Sequence, residues 1–386
     1  MKTCIYNGIL MDGIHKTQPG ALIIEDGRIQ SITTDTKSLP SCDIMLDAKG
    51  HYICPGLIDT HTHGIGGYDF NDIAKLSLRK VVKQEAKEGV TGFLASLVCE
   101  THEDMKQLLA YYEEQEIEGL LGIHLEGPYL NRQQKAVMKE ECLRDPMLEE
   151  FKEYLHISSK IKSMTIAPEL PDAMELIRYG TAHGVVMMLG HSAGTAQDVL
   201  AAEKAGAKGI THLYNAMSQH AHRAPGIVTG AVLSKLMCEL IVDGVHVHPD
   251  IVQATYKMIG AERIVLISDA NPCKQLPKGE YLFSGKHVLV DKDKAIVKES
   301  GRIAGSTLRL CDALRNMCTY CGCQKETAIA MASAHPAALY GWKKGRLEAG
   351  YDADIMIMDS SSASPRNSNS IIVCFIKRFK QQSQIT

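Results

Sequence analysis

The chain has 386 residues, 45% apolar and 23% charged, which suits one large barrel with a satellite or two to three ordinary domains. Its 42 basic and 45 acidic side chains leave a net charge of −3, which argues against holding nucleic acid by bulk charge but allows a local pocket for one phosphate. No 18-residue uncharged apolar run occurs, and residues 1–30 lack the pattern of a secretion signal; with twelve scattered cysteines this predicts a cytoplasmic protein with reduced thiols and no membrane contact.

Residues 1–50 read as β-strands, with "ALIIEDGRIQSI" as strand, Asp-Gly turn and strand. The tail, through "ADIMIMD" and "IIVCFIKRF", reads the same way. Residues 1–53 and 345–386 are therefore expected to form one small β-sandwich domain from both termini. Residues 54–344 alternate strand-like and amphipathic helical runs. Strands are predicted at 54–59, 90–97, 119–126, 162–168, 184–190, 207–213, 237–243 and 263–269. Helices are predicted at 72–88, 102–117, 171–183, 195–205, 248–260, 306–320 and 325–334. Eight such strands with intervening helices predict a (β/α)8 TIM barrel, with a doubly wound sheet as the alternative. A hairpin inserted at about 280–300 is expected after the eighth strand.

The ends of these strands carry the chemistry. The first reaches His61 and His63, the third ends in Glu126, the fifth in His191, the sixth reaches His212, the seventh leads to His246 and the eighth ends in Asp269. A TIM barrel gathers its strand ends on one rim, so six of eight strands deliver a metal-competent side chain to one place. His61 and His63 are two apart and share a side of an extended chain. Alone, such a pair is as readily two ordinary histidines; the recurrence at other strand ends makes it a metal site. Imidazole and carboxylate ligands suit Zn, Fe, Mn or Co. Six ligands exceed the need of one ion and suit two ions bridged by Glu126.

"PGLIDTHTHGIGG" resembles the first-strand motif of the amidohydrolase superfamily. "GIHLEGPYLN", "GHS", "THLYNAM", "RAPG", "VDGVHVHP", "LISDA" and "IAGSTL" follow in order and resemble its N-acetylglucosamine-6-phosphate deacetylase branch. The resemblance implies metal-dependent hydrolysis of N-acetylglucosamine 6-phosphate to glucosamine 6-phosphate and acetate, with one or two divalent ions per subunit. It implies that Glu126, His191 and His212 hold one metal, that His61 and His63 hold a second, and that Asp269 is the catalytic acid and base beside the metal. It implies that Asn215, Ala216, Arg223 and His246 bind the sugar phosphate, that Ile303, Ala304 and Gly305 line the sugar pocket, and that Arg223 reaches in from the partner of a homodimer.

One position departs from that pattern. Met138 stands where the branch has a histidine that contacts the acyl carbonyl, and a thioether donates no hydrogen bond there. His156, His220 or a second metal is expected in its place, or the acyl group is held differently. The departure keeps open another N-acyl amino-sugar phosphate, such as the galactosamine isomer. A catalytically silent barrel used for binding or scaffolding is the rival from another class. Asp59 is a possible orienting partner of a first-strand ligand. His124 is either a supporting partner of the metal ligands or a satisfied core histidine. His222 is a possible substrate contact, and "CTYCGC" reads as buried helix thiols.

Overall fold

The computed structural model describes residues 1–283, 285–291 and 294–359, and the strand Ile371–Phe375. Its centre is an eight-stranded parallel sheet. The strands are Leu57–Thr62, Val90–Val98, Leu120–Glu126, Ile161–Ile166, Val186–Leu189, Gly209–Ile210, Met237–Ile241 and Ile264–Ile267, each beside its sequence neighbour. The first and eighth meet through the Asp269 N–H on the His61 carbonyl and the His63 N–H on the Ala270 carbonyl, both 2.8 Å. The sheet thereby closes toward a barrel. All nine residues of Val90–Val98 are buried, as expected of a strand covered on both faces.

A helix follows every strand: Leu78–Ala86, His102–Glu113, Leu148–Ile157, Ala173–Ala182, Ala196–Ala205, Ile227–Leu233, Pro249–Ile259 and Leu310–Cys321. Local chemistry fixes their starts. The Thr195 hydroxyl accepts the Asp198 N–H while the Asp198 carboxylate accepts the Thr195 N–H. That reciprocal cap contributes about 1 kcal/mol. His248 caps the helix Pro249–Ile259 through its ring nitrogen, ahead of Pro249 in the first turn, where a missing N–H costs nothing. Two of these eight helices lie outside the predicted runs. Leu148–Ile157 lies beyond a long loop, and Ile227–Leu233 is a short glycine-containing apolar run that reads equally well as a strand.

The predicted first strand, 54–59, divides between two sheets. Tyr52–Pro55 pairs with Lys2–Leu10 and Ile355–Met358, and the barrel strand starts at Leu57. The terminal strands form a second, seven-stranded sheet, in which Ile371–Phe375, Ile355–Met358, Tyr52–Pro55, Lys2–Leu10, Gln18–Glu25 and Arg28–Thr33 lie in that order and Ile44–Asp47 also pairs with Lys2–Leu10. Strands from both termini thus share one domain, packed around Ile5, Leu22, Ile53, Ile355 and Ile357. The Asp26-Gly27 turn has φ of 49° and 73°, the two positive values that a tight two-residue hairpin requires. Residues 376–379 of the predicted last strand lie outside the described residues. The insertion is a three-stranded meander, Gly279–Phe283, Lys286–Asp291 and Lys294–Val297, rather than a hairpin.

Candidate active site

The C-terminal strand ends enclose a cavity of about 190 Å³. Its floor holds two triads, His61–His63–Asp269 and Glu126–His191–His212, whose ligand atoms lie within 4.8 Å of one another in each triad. All six side chains are buried. Glu126 joins the triads: Oε1 lies 3.0 Å from His191 Nε2 and 3.1 Å from His212 Nε2, while Oε2 lies 3.3 Å from His63 Nε2. The backbone is bent to aim them. His191, His212 and Asp269 have φ of 48°, 29° and 47°, a region that non-glycine residues occupy at a cost and that clusters at functional sites.

The outer ring nitrogens show what the inner ones can do. His63 Nδ1 lies 3.1 Å from the Ser96 carbonyl and His191 Nδ1 lies 2.7 Å from the Gln134 carbonyl. A carbonyl only accepts, so the proton of a neutral ring sits on Nδ1 and Nε2 carries a lone pair. His61 Nδ1 faces a carboxylate oxygen of Glu239 at 3.2 Å, with the same consequence. The His61 and His63 Nε2 atoms then face each other at 3.3 Å, and those of His191 and His212 at 3.1 Å. Lone pairs and carboxylates at such distances repel unless protons or a metal cation lie among them. The donor set therefore fits divalent metal, with nitrogen and oxygen ligands only.

The cluster's charges support one another. Burial disfavours charge on His61, but the Asp269 and Glu126 carboxylates outweigh it and hold this imidazole well above its usual pKa. Burial likewise opposes ionisation of Glu126, and His61, His191 and His212 outweigh it, holding its carboxyl well below the usual range. Asp269 is held down at about 2, against burial, chiefly by His61 and His63. Both carboxylates are thus ionised at neutral pH, the state in which they bind a cation.

The amidohydrolase family model matches residues 52–383. The chain belongs to the amidohydrolase family. An N-acetylglucosamine-6-phosphate deacetylase from Lysinibacillus sphaericus is 35% identical over 81% of this chain and 83% of its own. An N-acetylgalactosamine-6-phosphate deacetylase from Escherichia coli O157:H7 is 36% identical over 88% and 90%. A mutant N-acetyl-D-glucosamine-6-phosphate deacetylase from Mycobacterium smegmatis, solved with N-acetyl-D-glucosamine 6-phosphate, superposes with a TM-score of 0.89 at 28% identity over 98% of both chains.

This amidohydrolase places most of the remaining predicted residues around the same cavity. Met138, Asn215, Ala216, His246, Ile303 and Gly305 line it. His246 donates through Nδ1 to the Asp243 carboxylate at 2.6 Å. Burial lowers the pKa of His246, but Asp243 outweighs it and raises the imidazole above its usual value. Two predicted residues are elsewhere. Arg223 is exposed in the short hairpin His220–Ala221/Ala224–Pro225 and does not line its own chain's cavity. The Ala304 side chain is buried among Cys273, Phe283 and Val288, beneath the insertion.

The weaker expectations resolve individually. His156 and His220 are exposed and outside the cavity, so neither takes the place of an imidazole at Met138. His222 is exposed as well. His124 is a satisfied core residue: its ring nitrogens meet the hydroxyls of Ser96 at 2.9 Å and Thr165 at 2.8 Å. Asp59 does not touch the His61 ring; its Oδ1 accepts the backbone N–H of His61 and Ser268. Cys318, Cys321 and Cys323 are half-buried rather than buried, and belong to neither metal-competent group among the described residues. Sequence reasoning missed Glu239, and missed the apolar wall of Val98, Val137 and Phe283 beside Met138.

Proposed function

We propose that this amidohydrolase removes the acetyl group of N-acetylglucosamine 6-phosphate by metal-dependent hydrolysis, yielding acetate and glucosamine 6-phosphate. The observation that carries the reading is the pair of buried triads sharing Glu126 at the floor of a cavity lined by Asn215 and His246. The named relatives and the substrate complex of the Mycobacterium smegmatis enzyme support the substrate.

A divalent ion bound there supplies an acidified water and polarises the acyl oxygen. The chain's own residues do the rest. Asp269, ionised and beside His61 and His63, takes a proton from the attacking water and returns it to the leaving nitrogen. His246, whose imidazole Asp243 holds above its usual pKa, attracts the phosphate. The Ala216 carbonyl accepts the Ser192 N–H at 3.1 Å, joining the loops after the fifth and sixth strands and steadying the sugar-phosphate side. Met138 and Val98 present side chains without donors beside the metal-binding floor.

Arg223 lies on an exposed hairpin, which suits a homodimer in which each copy lends this guanidinium to the other's phosphate. A cytoplasmic location accompanies the reading, with cysteines that stay reduced. The similar identity to an N-acetylgalactosamine-6-phosphate deacetylase supports the galactosamine isomer as the second substrate to test. The test is stoichiometric acetate and free-amine release from N-acetylglucosamine 6-phosphate by the protein reconstituted with Zn, Fe, Mn or Co. Release that depends on metal supports the reading. A folded, metal-loaded protein that releases neither product from either isomer refutes it.

A further inference from the structure

The outer nitrogens of the four clustered histidines are served unequally. His63 and His191 donate to carbonyls, and His212 Nδ1 is buried without a partner. Only His61 meets a carboxylate, that of Glu239. Glu239 lies mid-strand in Met237–Ile241, is 2% exposed, and has buried apolar neighbours in Cys238, Leu240 and Ile241. Its second oxygen accepts the Thr60 hydroxyl at 3.1 Å. Among the described ion pairs, His61 is its one partner. Taking a carboxylate out of water costs several kcal/mol unless its surroundings recover it. Both oxygens are spent on the consecutive residues Thr60 and His61, so this carboxylate serves the first barrel strand from the seventh, two positions around the barrel.

We propose that Glu239 is a positioning residue that fixes His61 with its Nδ1 proton outward and its Nε2 lone pair toward Glu126 and Asp269. The carboxylate also makes the imidazole a stronger donor, because a negative partner on the outer N–H raises the basicity of the inner nitrogen. The consequence is selective. The His61–His63–Asp269 triad gains affinity for a divalent ion, while the Glu126–His191–His212 triad, which Glu239 does not touch, does not. The inference rests on the reading that both triads take metal, and it is independent of the substrate.

The test is a Co(II) titration of the metal-free protein, followed by visible absorption and by competition with a chelator, for the parent and for Glu239→Gln. The parent is expected to take two equivalents. Glu239→Gln keeps the shape and removes the charge. It is expected to retain one equivalent at parental affinity and to bind the second about 10–100-fold more weakly. Thr60→Val removes one anchor of the carboxylate and serves if Glu239→Gln does not fold; it is expected to weaken only the second equivalent, several-fold. Parental affinity for both equivalents, equal weakening of both, or a parent that takes fewer than two would each overturn the proposal. Acetate release plays no part in this readout, so failure of the proposed substrate and failure of this inference are distinguishable.

Discussion

The backbone N–H of Asp269 donates to the carbonyl of His61 at 2.8 Å. This bond joins the eighth strand end to the first, so the contact that closes the barrel also sets the distance between the proposed catalytic carboxylate and a metal-competent imidazole. Asp269 Oδ1 consequently lies 3.6 Å from His61 Nε2 and 3.3 Å from His63 Nε2.

Because that bond uses only backbone, Asp269→Asn preserves it. Asparagine also tolerates the positive φ of 47° found there. Turnover is expected to fall by about 10²–10⁴-fold, the usual contribution of a general acid and base. The circular dichroism spectrum and unfolding midpoint should remain close to those of the parent. A silent scaffold would show no activity to lose, and steady-state acetate release separates the two.

Glu126→Gln removes the charge that both triads share. Metal content by elemental analysis is expected to drop below that of the parent, with activity falling alongside. Unchanged metal stoichiometry would contradict the bridging assignment.

In the proposed reading, the phosphate is bound by His246 in its protonated form. Its pKa is raised by Asp243 against burial, so its positive charge is fully present below the ordinary histidine value and is lost as pH rises through the raised one. KM for the sugar phosphate is therefore expected to increase on the alkaline side, with kcat affected less. Asp243→Asn should move that increase to lower pH. A KM profile that Asp243→Asn leaves in place would exclude His246 as the phosphate's cation.

Lys274 is 0% exposed and lies 2.9 Å from Glu85 and 3.3 Å from Glu88, tying the loop after the eighth strand to the helix after the first. Lys274→Met strips the buried Glu88 carboxylate and the Glu85 carboxyl, which burial keeps largely protonated, of the ammonium they share, and is expected to cost about 3–5 kcal/mol in urea denaturation. Burial dominates at Glu85 and raises its carboxyl to about 8. A carboxyl whose pKa is higher in the folded state contributes stability below the ordinary carboxylate value, and that contribution is lost as pH rises toward 8. Glu85→Gln should flatten this part of the stability–pH curve.

Barrel, terminal sheet and the clustering of metal-competent side chains were legible because each rests on local pattern. The strands are short apolar runs, their ends carry the histidines and carboxylates, and the Asp26-Gly27 turn announces its hairpin. What was hidden depends on contacts across the barrel. Asp59 was the natural partner for His61 by proximity in sequence, yet in the barrel the ring meets Glu239, 178 residues away. The signal was a lone glutamate inside "MCELIV", since a charge amid a buried strand needs a partner. The apolar wall of Val98, Val137 and Phe283 was likewise invisible, because it is assembled from the second strand, a loop and the insertion. Arg223 lies outside its own chain's cavity, on an exposed hairpin, which is where a residue expected to serve a partner's site would lie.

The most direct test of the central claim is kcat/KM for N-acetylglucosamine 6-phosphate, N-acetylgalactosamine 6-phosphate and unphosphorylated N-acetylglucosamine, with metal-loaded and metal-stripped protein. The account predicts hydrolysis that requires metal and falls at least about tenfold without the phosphate, as loss of one charge-assisted contact implies. Metal-independent hydrolysis, or equal rates with and without the phosphate, would contradict it.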